Sequence, residues 1–359
     1  MNKFNKNNFY GKFSTGASFY NTKDIFFSKK NISHFNKRLI INLKKMNFTK
    51  EDINNKVVMD VGSGRQALGF LPLNTKKIYH YDISKLNVKK FNKYIYKNKL
   101  NKKIISKQLN LVRDKLPKEK FDFIYLHGII QHTERVNLAI KNLCSSLKIN
   151  GSMWFYFYRP GSFNIFLTSL QRKLIKEGKV NINKFHKYVK KASSDFDFVD
   201  SIMDDCFAPN CQLFYPKDYS KVLSENSCMI FGNTFLTKYK NKVNFKNYHQ
   251  SATFFLKKNK KIPAKKNNNL LNREHSVNVL NKKLYKDKNI KDMLNILSHL
   301  SYKKNSQQNL FDLIISIEKS KRIIEKSFLN NHKLVNKKYI NIIKKLKNKF
   351  TQYDKLQNI

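Results

Sequence analysis

Lys56-Val-Val-Met-Asp-Val-Gly-Ser-Gly-Arg-Gln-Ala-Leu68 holds a strand, a turn and a helix start in one short run. Residues 56–61 are apolar and β-branched, as a short buried strand requires. The Gly62-Ser-Gly64 turn that follows lets the backbone bend sharply and approach a ligand closely, because glycine has no Cβ in the way. Arg65-Gln-Ala-Leu68 then opens a helix whose first N–H groups lack intrahelical partners. A strand, a glycine turn and a helix N-terminus together form a corner suited to a nucleotide-like ligand. The turn alone is compatible with several such ligands, so the flanking sequence has to discriminate.

Ahead of the corner, residues 1–30 are rich in aromatics, Asn and Lys and suit an extended arm or lid. Phe35, Leu39 and Leu43 recur at i, i+4 and i+8 and give a helix over about 31–46 one apolar face. After the corner, strands and helices alternate. A second strand, Lys77–Asp82, ends on a carboxylate about 20 residues beyond the glycines, where it can accept hydrogen bonds from a ribose. Ser84 caps a helix carrying Val88, Phe91 and Ile95 inward. A third strand covers 104–110 and a fourth 121–127, broken by Gly128. Thr133 is expected to cap the next helix, where Val136, Ile140, Leu143 and Leu147 form a stripe, and a fifth strand follows at 152–158. Strands of buried type alternating with helices imply a parallel sheet with crossover helices.

The pattern changes at about 159–213, a helical and irregular stretch too long for a connecting loop and suited to an inserted cap. Pro216–Leu223 opens a helix with proline in its first turn. Strands at about 228–237 and 249–257 then form a hairpin at the sheet edge. The scheme is an arm and helix at 1–48, a central domain at 49–258 that carries the cap, a basic linker at 259–269, and a helical C-terminal extension at 270–359 without Gly or Pro.

Lys and Arg total 72 against 24 Asp and Glu, a formal net charge of +48. Such an excess suits a polyanion partner such as RNA or an acidic membrane surface. Only eight of the cations are Arg, the residue that nucleic-acid recognition favours for its planar fork. Lys, Asn and Ile all have A/T-rich codons, so a biased genome produces the same composition. Cys144, Cys206, Cys211 and Cys228 show no metal-ligand spacing and fit a reducing compartment. The N-terminus lacks the apolar core of a signal peptide, and no stretch has the apolar length needed to cross a bilayer, so a cytoplasmic protein is expected.

Three segments in order resemble class I S-adenosylmethionine-dependent methyltransferases, in particular the small-molecule type 11/12 group. They are VVMDVGSG, the strand-two acid Asp82, and Phe121–Tyr158, FDFIYLHGIIQHTERVNLAIKNLCSSLKINGSMWFYFY, which is similar to the family's FDxI…GVLHHTxxxxxALxNLxxxLKPGG run. Tyr215–Gly232 resembles the helix and sixth strand of small-molecule members. The resemblance spans about 50–258. It implies a Rossmann-like three-layer α/β sandwich with a seven-stranded, mostly parallel sheet and an antiparallel last strand, extended here by the cap and the helical tail.

It also implies roles for individual residues. Gly62, Ser63 and Gly64 would line the amino-acid part of S-adenosyl-L-methionine, and Asp60 would hold that turn and reach the methionine ammonium. Asp82, with Ile83 beside it, would bind the ribose hydroxyls. Asn110 and Leu111 would face the adenine, with Asn110 standing where the family usually has an acid. His127 and Gln131 would flank the sulfonium. At 149–151 the usual Pro-Gly-Gly is Ile-Asn-Gly, which a turn tolerates because Asn accepts left-handed geometry. His132 matches the family's recurrent histidine. It suits a base that takes a proton from an acceptor, since an unperturbed His titrates near 6.5, and it equally suits an anchor for the strand-four loop. No metal is implied.

The activity implied is methyl transfer to oxygen or nitrogen of a small-molecule or glycan-type acceptor. RNA as acceptor and a non-catalytic scaffold are the alternatives. Asp195, Asp197, Asp200, Asp204 and Asp205 cluster in the cap, either facing an acceptor pocket or forming a solvated acidic surface.

Overall fold

The strand-turn-helix corner forms in the computed structural model as β1 (Val57–Val61) running into α2 (Arg65–Gly69), with α1 (Lys29–Lys44) packed against α2. The structure describes residues 9–10, 12–13, 29–44, 48–158, 163–214, 216–233, 251–259, 275–276, 307–330, 341, 344–349 and 351–352. The linker beyond residue 259 and most of the arm and of the tail ahead of residue 307 lie outside the described residues. The described residues divide into two units, the first holding those within 9–158, 208–233 and 251–259, the second those within 163–207 and 275–352.

The first unit is built on a seven-stranded sheet. Its strands are β1, β2 (Lys77–Asp82), β3 (Ile104–Gln108), β4 (Phe121–His127), β5 (Leu147–Tyr158), β7 (Cys228–Asn233) and β8 (Ser251–Lys258), in the order 3-2-1-4-5-8-7. The two-residue β6 (Gln212–Leu213) lies outside this sheet. Strands β1 to β5 pair in parallel, and β8 runs antiparallel between β5 and β7. The last strand is therefore the antiparallel one, and the α/β fold is Rossmann-like with a mostly parallel sheet.

Side-chain alternation along each strand splits the apolar residues between two faces. Met59, Ile124, Met153, Phe155 and Leu256 belong to one core, under α4 (Val136–Ser146) and α8 (Pro216–Glu225). Val58, Phe123, Trp154 and Phe255 belong to the other, under α1, α2 and α3 (Lys85–Lys97). The expected stripes do the packing: Leu39 and Leu43 of α1, Phe91 and Ile95 of α3, and Ile140 and Leu143 of α4 are all buried. Each fully buried aliphatic or aromatic side chain contributes on the order of 1.5–3 kcal/mol relative to exposure.

Three expectations change in detail. Strand β3 stops at Gln108, and β5 starts earlier, at Leu147, passing through Asn150 at φ 63°, the left-handed turn expected of Asn there. Thr133 does not cap α4, whose N-cap is Arg135. It closes the short 3-10 turn Ile130–His132 instead, donating its hydroxyl to the Ile130 carbonyl at 2.7 Å.

The second unit is helical, with α5 (Phe163–Glu177), α6 (Ile182–Ala192), α7 (Phe196–Phe207) and α9 (Gln307–Asn330). Helix α9 packs on α5 through Leu310, Ile314 and Ile317, and on α6 through Phe185 and Phe311. A charged cluster lies inside. The Lys321 ammonium bonds Asp205 and, at 2.8 Å, Glu318, while Gln171 reaches Glu318 at 3.2 Å. Burial raises the Asp205 carboxyl despite Lys321, and Lys321 in turn is raised by Asp205 and Glu318 against its own burial. Asp200 and Asp205 therefore lie inside this unit, whereas Asp195 is exposed. Asp200 is buried, Asp205 pairs with Lys321, and Asp195 accepts from Arg322 at 2.9 Å while its other oxygen accepts the Phe198 N–H at 3.2 Å. No helix among the described residues is long and apolar enough to cross a membrane.

Candidate active site

Because β1 lies between β2 and β4, the C-terminal ends of these three strands stand side by side, and the first crossover connections leave on opposite sides. This is where open α/β sheets form a ligand crevice. Asp60, at the end of β1, is buried and accepts the Ala67 N–H at 2.9 Å, which staples strand to helix across the turn. Gly62 sits at φ 123° and Gly64 at φ 79°, both in the region that favours glycine. A Cβ on Gly62 would stand 3.0 Å from Ile129 Cδ1, so a side chain there would fill the crevice. Ser63 between them is half-buried.

His80 on β2 locks this turn from beneath. Its Nε2 lies 2.6 Å from the Gly62 carbonyl oxygen and its Nδ1 lies 2.8 Å from Ser106 Oγ. A carbonyl only accepts, so Nε2 carries the proton and Nδ1 accepts from the Ser106 hydroxyl. Burial drives the imidazole down to about 4, which keeps it neutral and in this tautomer.

Asp82 ends β2, also buried. Its Oδ1 accepts the Ser84 N–H at 2.7 Å and its Oδ2 accepts from Asn87 Nδ2 at 3.2 Å. Ser84 caps α3 as expected, accepting the Asn87 N–H at 3.3 Å. Ile83 is half-buried, and its carbonyl accepts from Gln108 Nε2 at 3.1 Å. Further along, Asn110 Oδ1 accepts the Val112 N–H at 2.9 Å and so folds the turn after β3, while Leu111 is buried. Asn110 keeps only its Nδ2 to offer a ligand.

At the end of β4, His127 stacks on Tyr156 with ring centroids 4.2 Å apart. Of the aromatic run at the end of β5, Trp154, Phe155 and Phe157 are core, whereas Tyr156 and Tyr158 meet the two histidines of the β4 segment. Gln131 is fully buried. Its Nε2 donates to the Gly128 carbonyl at 2.6 Å, and its Oε1 has no hydrogen-bond partner. His132 Nδ1 lies 2.8 Å from the carbonyl oxygen of Asn210, and Asn210 Nδ2 returns a bond to the His132 carbonyl at 3.3 Å. The carbonyl fixes the proton on Nδ1 and makes Nε2 the basic atom of the ring. Tyr10, from the arm, places its ring edge-on to His132 at 6.3 Å.

Asp60 and Asp82 give the crevice its electrostatic character. Burial pushes the Asp60 carboxyl up to about 7, with repulsion from Asp82 adding to it and the Ala67 N–H opposing. Asp82 rises to about 6, again chiefly by burial. Among the described residues neither makes an ion pair. Two buried carboxylates, an open glycine turn and an orphaned Gln131 acceptor fit a ligand bearing a positive charge and hydroxyl donors. His80, Asn87, Tyr10 and Asn210 were not singled out by the sequence. Only His80 left a trace there, as a polar residue between the two tyrosines of β2.

Residues 59–155 match the family model described as methyltransferase domain, the type 11 group. No curated protein matches the chain. Among solved structures, PKMT2 from Rickettsia typhi in complex with AdoHcy is similar at 16% identity, over 59% of this chain and 51% of that one, with a TM-score of 0.42. The YcgJ protein from Bacillus subtilis is similar at 15% identity, over 57% of this chain and 73% of that one, with a TM-score of 0.38. The CurJ carbon methyltransferase is similar at 12% identity, over 66% of this chain and 57% of that one, with a TM-score of 0.38. This chain thus spans about half the length of PKMT2. The matched segment runs from the β1 carboxylate region through the glycine turn and His132 to β5, and over this segment the chain matches a methyltransferase domain of the type 11 group.

Proposed function

We propose that this domain methylates an oxygen or nitrogen atom of a small-molecule or glycan-type acceptor, with His132 as general base. The observation that carries this is the bond from His132 to the Asn210 carbonyl, which sets the imidazole tautomer with Nε2 as the basic atom. S-adenosylmethionine, when bound, supplies a methyl group already activated by its sulfonium. The protein's part is to bind, to align and to take a proton. The Gly62-Ser63-Gly64 backbone and Asp60 would hold the amino-acid end, Asp82 and Ile83 the ribose, Asn110 and Leu111 the adenine edge. His127 and Gln131 would stand beside the sulfur. The ionised form of Asp60 becomes favoured once an ammonium lies beside it, which links its proton to ligand binding. His132 Nε2 would accept the acceptor's proton as the nucleophile attacks in line, a role typically worth 10²–10⁴-fold in rate. A reducing, cytoplasmic setting belongs to the same proposal and is supported by four cysteines without metal-ligand spacing.

A transfer assay with methyl-labelled cofactor against fractionated cell metabolites tests it. His132→Gln should bind S-adenosylhomocysteine as the unaltered protein does, yet lose at least about a hundredfold in turnover. Full turnover in that variant removes His132 from the chemistry, and labelling confined to RNA removes the small-molecule acceptor.

A further inference from the structure

We propose that Asn87 is a second cofactor-ribose ligand beside Asp82 and that it ties the ribose site to the Tyr10 segment, so that binding there holds Tyr10 against His132. This rests on the cofactor site proposed above.

Asn87 lies in the first turn of α3 with its side chain buried. The orientation of its amide is set by its neighbours. Nδ2 stands 3.2 Å from Asp82 Oδ2 and 3.1 Å from the Tyr10 carbonyl oxygen. Both are acceptors, so the nitrogen must face them and each of its hydrogens has one partner. Oδ1 then points the other way, buried and without a donor. An unmet buried acceptor is costly, and in native proteins it commonly marks a site for a ligand or ion. The same amide holds the Asp82 carboxylate through Nδ2, and that carboxylate also accepts the Ser84 N–H. Asn87 Oδ1 and the Asp82 carboxylate would each accept one hydroxyl of a vicinal diol.

The Tyr10 end is anchored separately. Phe9 and Phe13 are both buried and are joined by a Phe13 N–H bond to the Phe9 carbonyl at 2.9 Å, a single helical turn. That turn presents the Tyr10 carbonyl to Asn87 and the Tyr10 ring to His132. A ribose hydroxyl donating to Oδ1 would fix the amide plane and with it the Nδ2 bond to Tyr10. Asn87 therefore works as a ligand on one edge and as a positioning residue on the other.

Lys12 is exposed within the same turn and gives a direct readout. S-adenosylhomocysteine affinity is measured by calorimetry, and trypsin cleavage after Lys12 by N-terminal sequencing of the product that begins at Phe13. In the unaltered protein, saturating S-adenosylhomocysteine should slow that cleavage at least about tenfold. Asn87→Ala should weaken binding about tenfold and abolish the protection even at saturation. Asn87→Thr, which keeps a hydroxyl at this helix turn, serves in the same way if the alanine variant does not fold. Tyr10→Ala should leave affinity nearly unchanged. Unchanged affinity and protection in the Asn87 variants overturn the inference, as does binding without protection in the unaltered protein. No binding by the unaltered protein overturns the cofactor site and this inference together.

Discussion

His80 Nε2 donates to the Gly62 carbonyl oxygen across 2.6 Å, so the turn at the heart of the site hangs from the neighbouring strand. His80→Phe keeps a ring of similar size against Phe91, 4.7 Å away, but strands both the Gly62 carbonyl and the Ser106 hydroxyl. Leaving buried polar atoms unmet costs about 1–3 kcal/mol each. The expected result is at least about tenfold weaker S-adenosylhomocysteine binding by calorimetry, equivalent to about 1.4 kcal/mol. Affinity equal to that of the unaltered protein would show that the turn does not need this support.

Gly62→Val meets two obstacles. Its φ of 123° is one that β-branched residues rarely adopt, and the new Cβ would lie 3.0 Å from Ile129 Cδ1. Ile129 can give way at its flexible end, so the fold should survive while the crevice closes. Circular dichroism should remain native-like with cofactor binding undetectable. A folded variant that binds normally would sink the assignment of this turn to the cofactor.

The raised carboxyl of Asp60 predicts a pH dependence of definite sign. In the unfolded chain this group ionises near 3.8, and in the folded protein near about 7. A raised carboxyl contributes stability that is present below the unfolded value and is lost as pH rises through the folded one. Asp60→Asn should therefore raise the melting temperature of the ligand-free protein at pH about 8 and change it little at pH about 4. At pH about 7 cofactor binding should release protons, seen as a dependence of the calorimetric enthalpy on buffer ionisation. No difference in melting temperature at the higher pH would mean that Asp60 is not held protonated.

In the helical unit, Lys321→Met leaves Glu318 and Asp205 facing each other without their shared cation. Removing one partner of a buried ion pair costs about 3–5 kcal/mol. Thermal melts should show this unit unfolding at a clearly lower temperature, and Asp205→Asn with Glu318→Gln in the same chain should restore much of the loss. A melt unaffected by Lys321→Met would make the cluster energetically idle.

What could be seen in the sequence was whatever depends on neighbours along the chain. Strand and helix faces, the Ser84 cap, the Gly62 and Gly64 turn and the Asp82 strand end all follow from local periodicity and short spacing, and they stand in the structure where expected. Contacts that join distant segments were not legible. Tyr10 meets Asn87 from 77 positions away and His132 from more than a hundred, and Asn210 fixes His132 from beyond the cap. In the acidic run at 195–205, the partners of Asp205 and Asp195 were hidden for the same reason: Lys321 and Arg322 lie more than a hundred residues downstream. Thr133 shows the converse limit. A good capping residue was present, but the 3-10 turn before it took the hydroxyl first.

The chain has a single tryptophan, Trp154, buried on β5 and stacked on Tyr125 with centroids 5.8 Å apart. It belongs to the sheet-bearing unit, and the helical unit has none. Indole emission thus follows only the melting of the sheet, whereas far-ultraviolet dichroism is weighted toward the helices. Recording both on one sample, without any added label, distinguishes a chain that unfolds as one cooperative body from one whose two units let go separately.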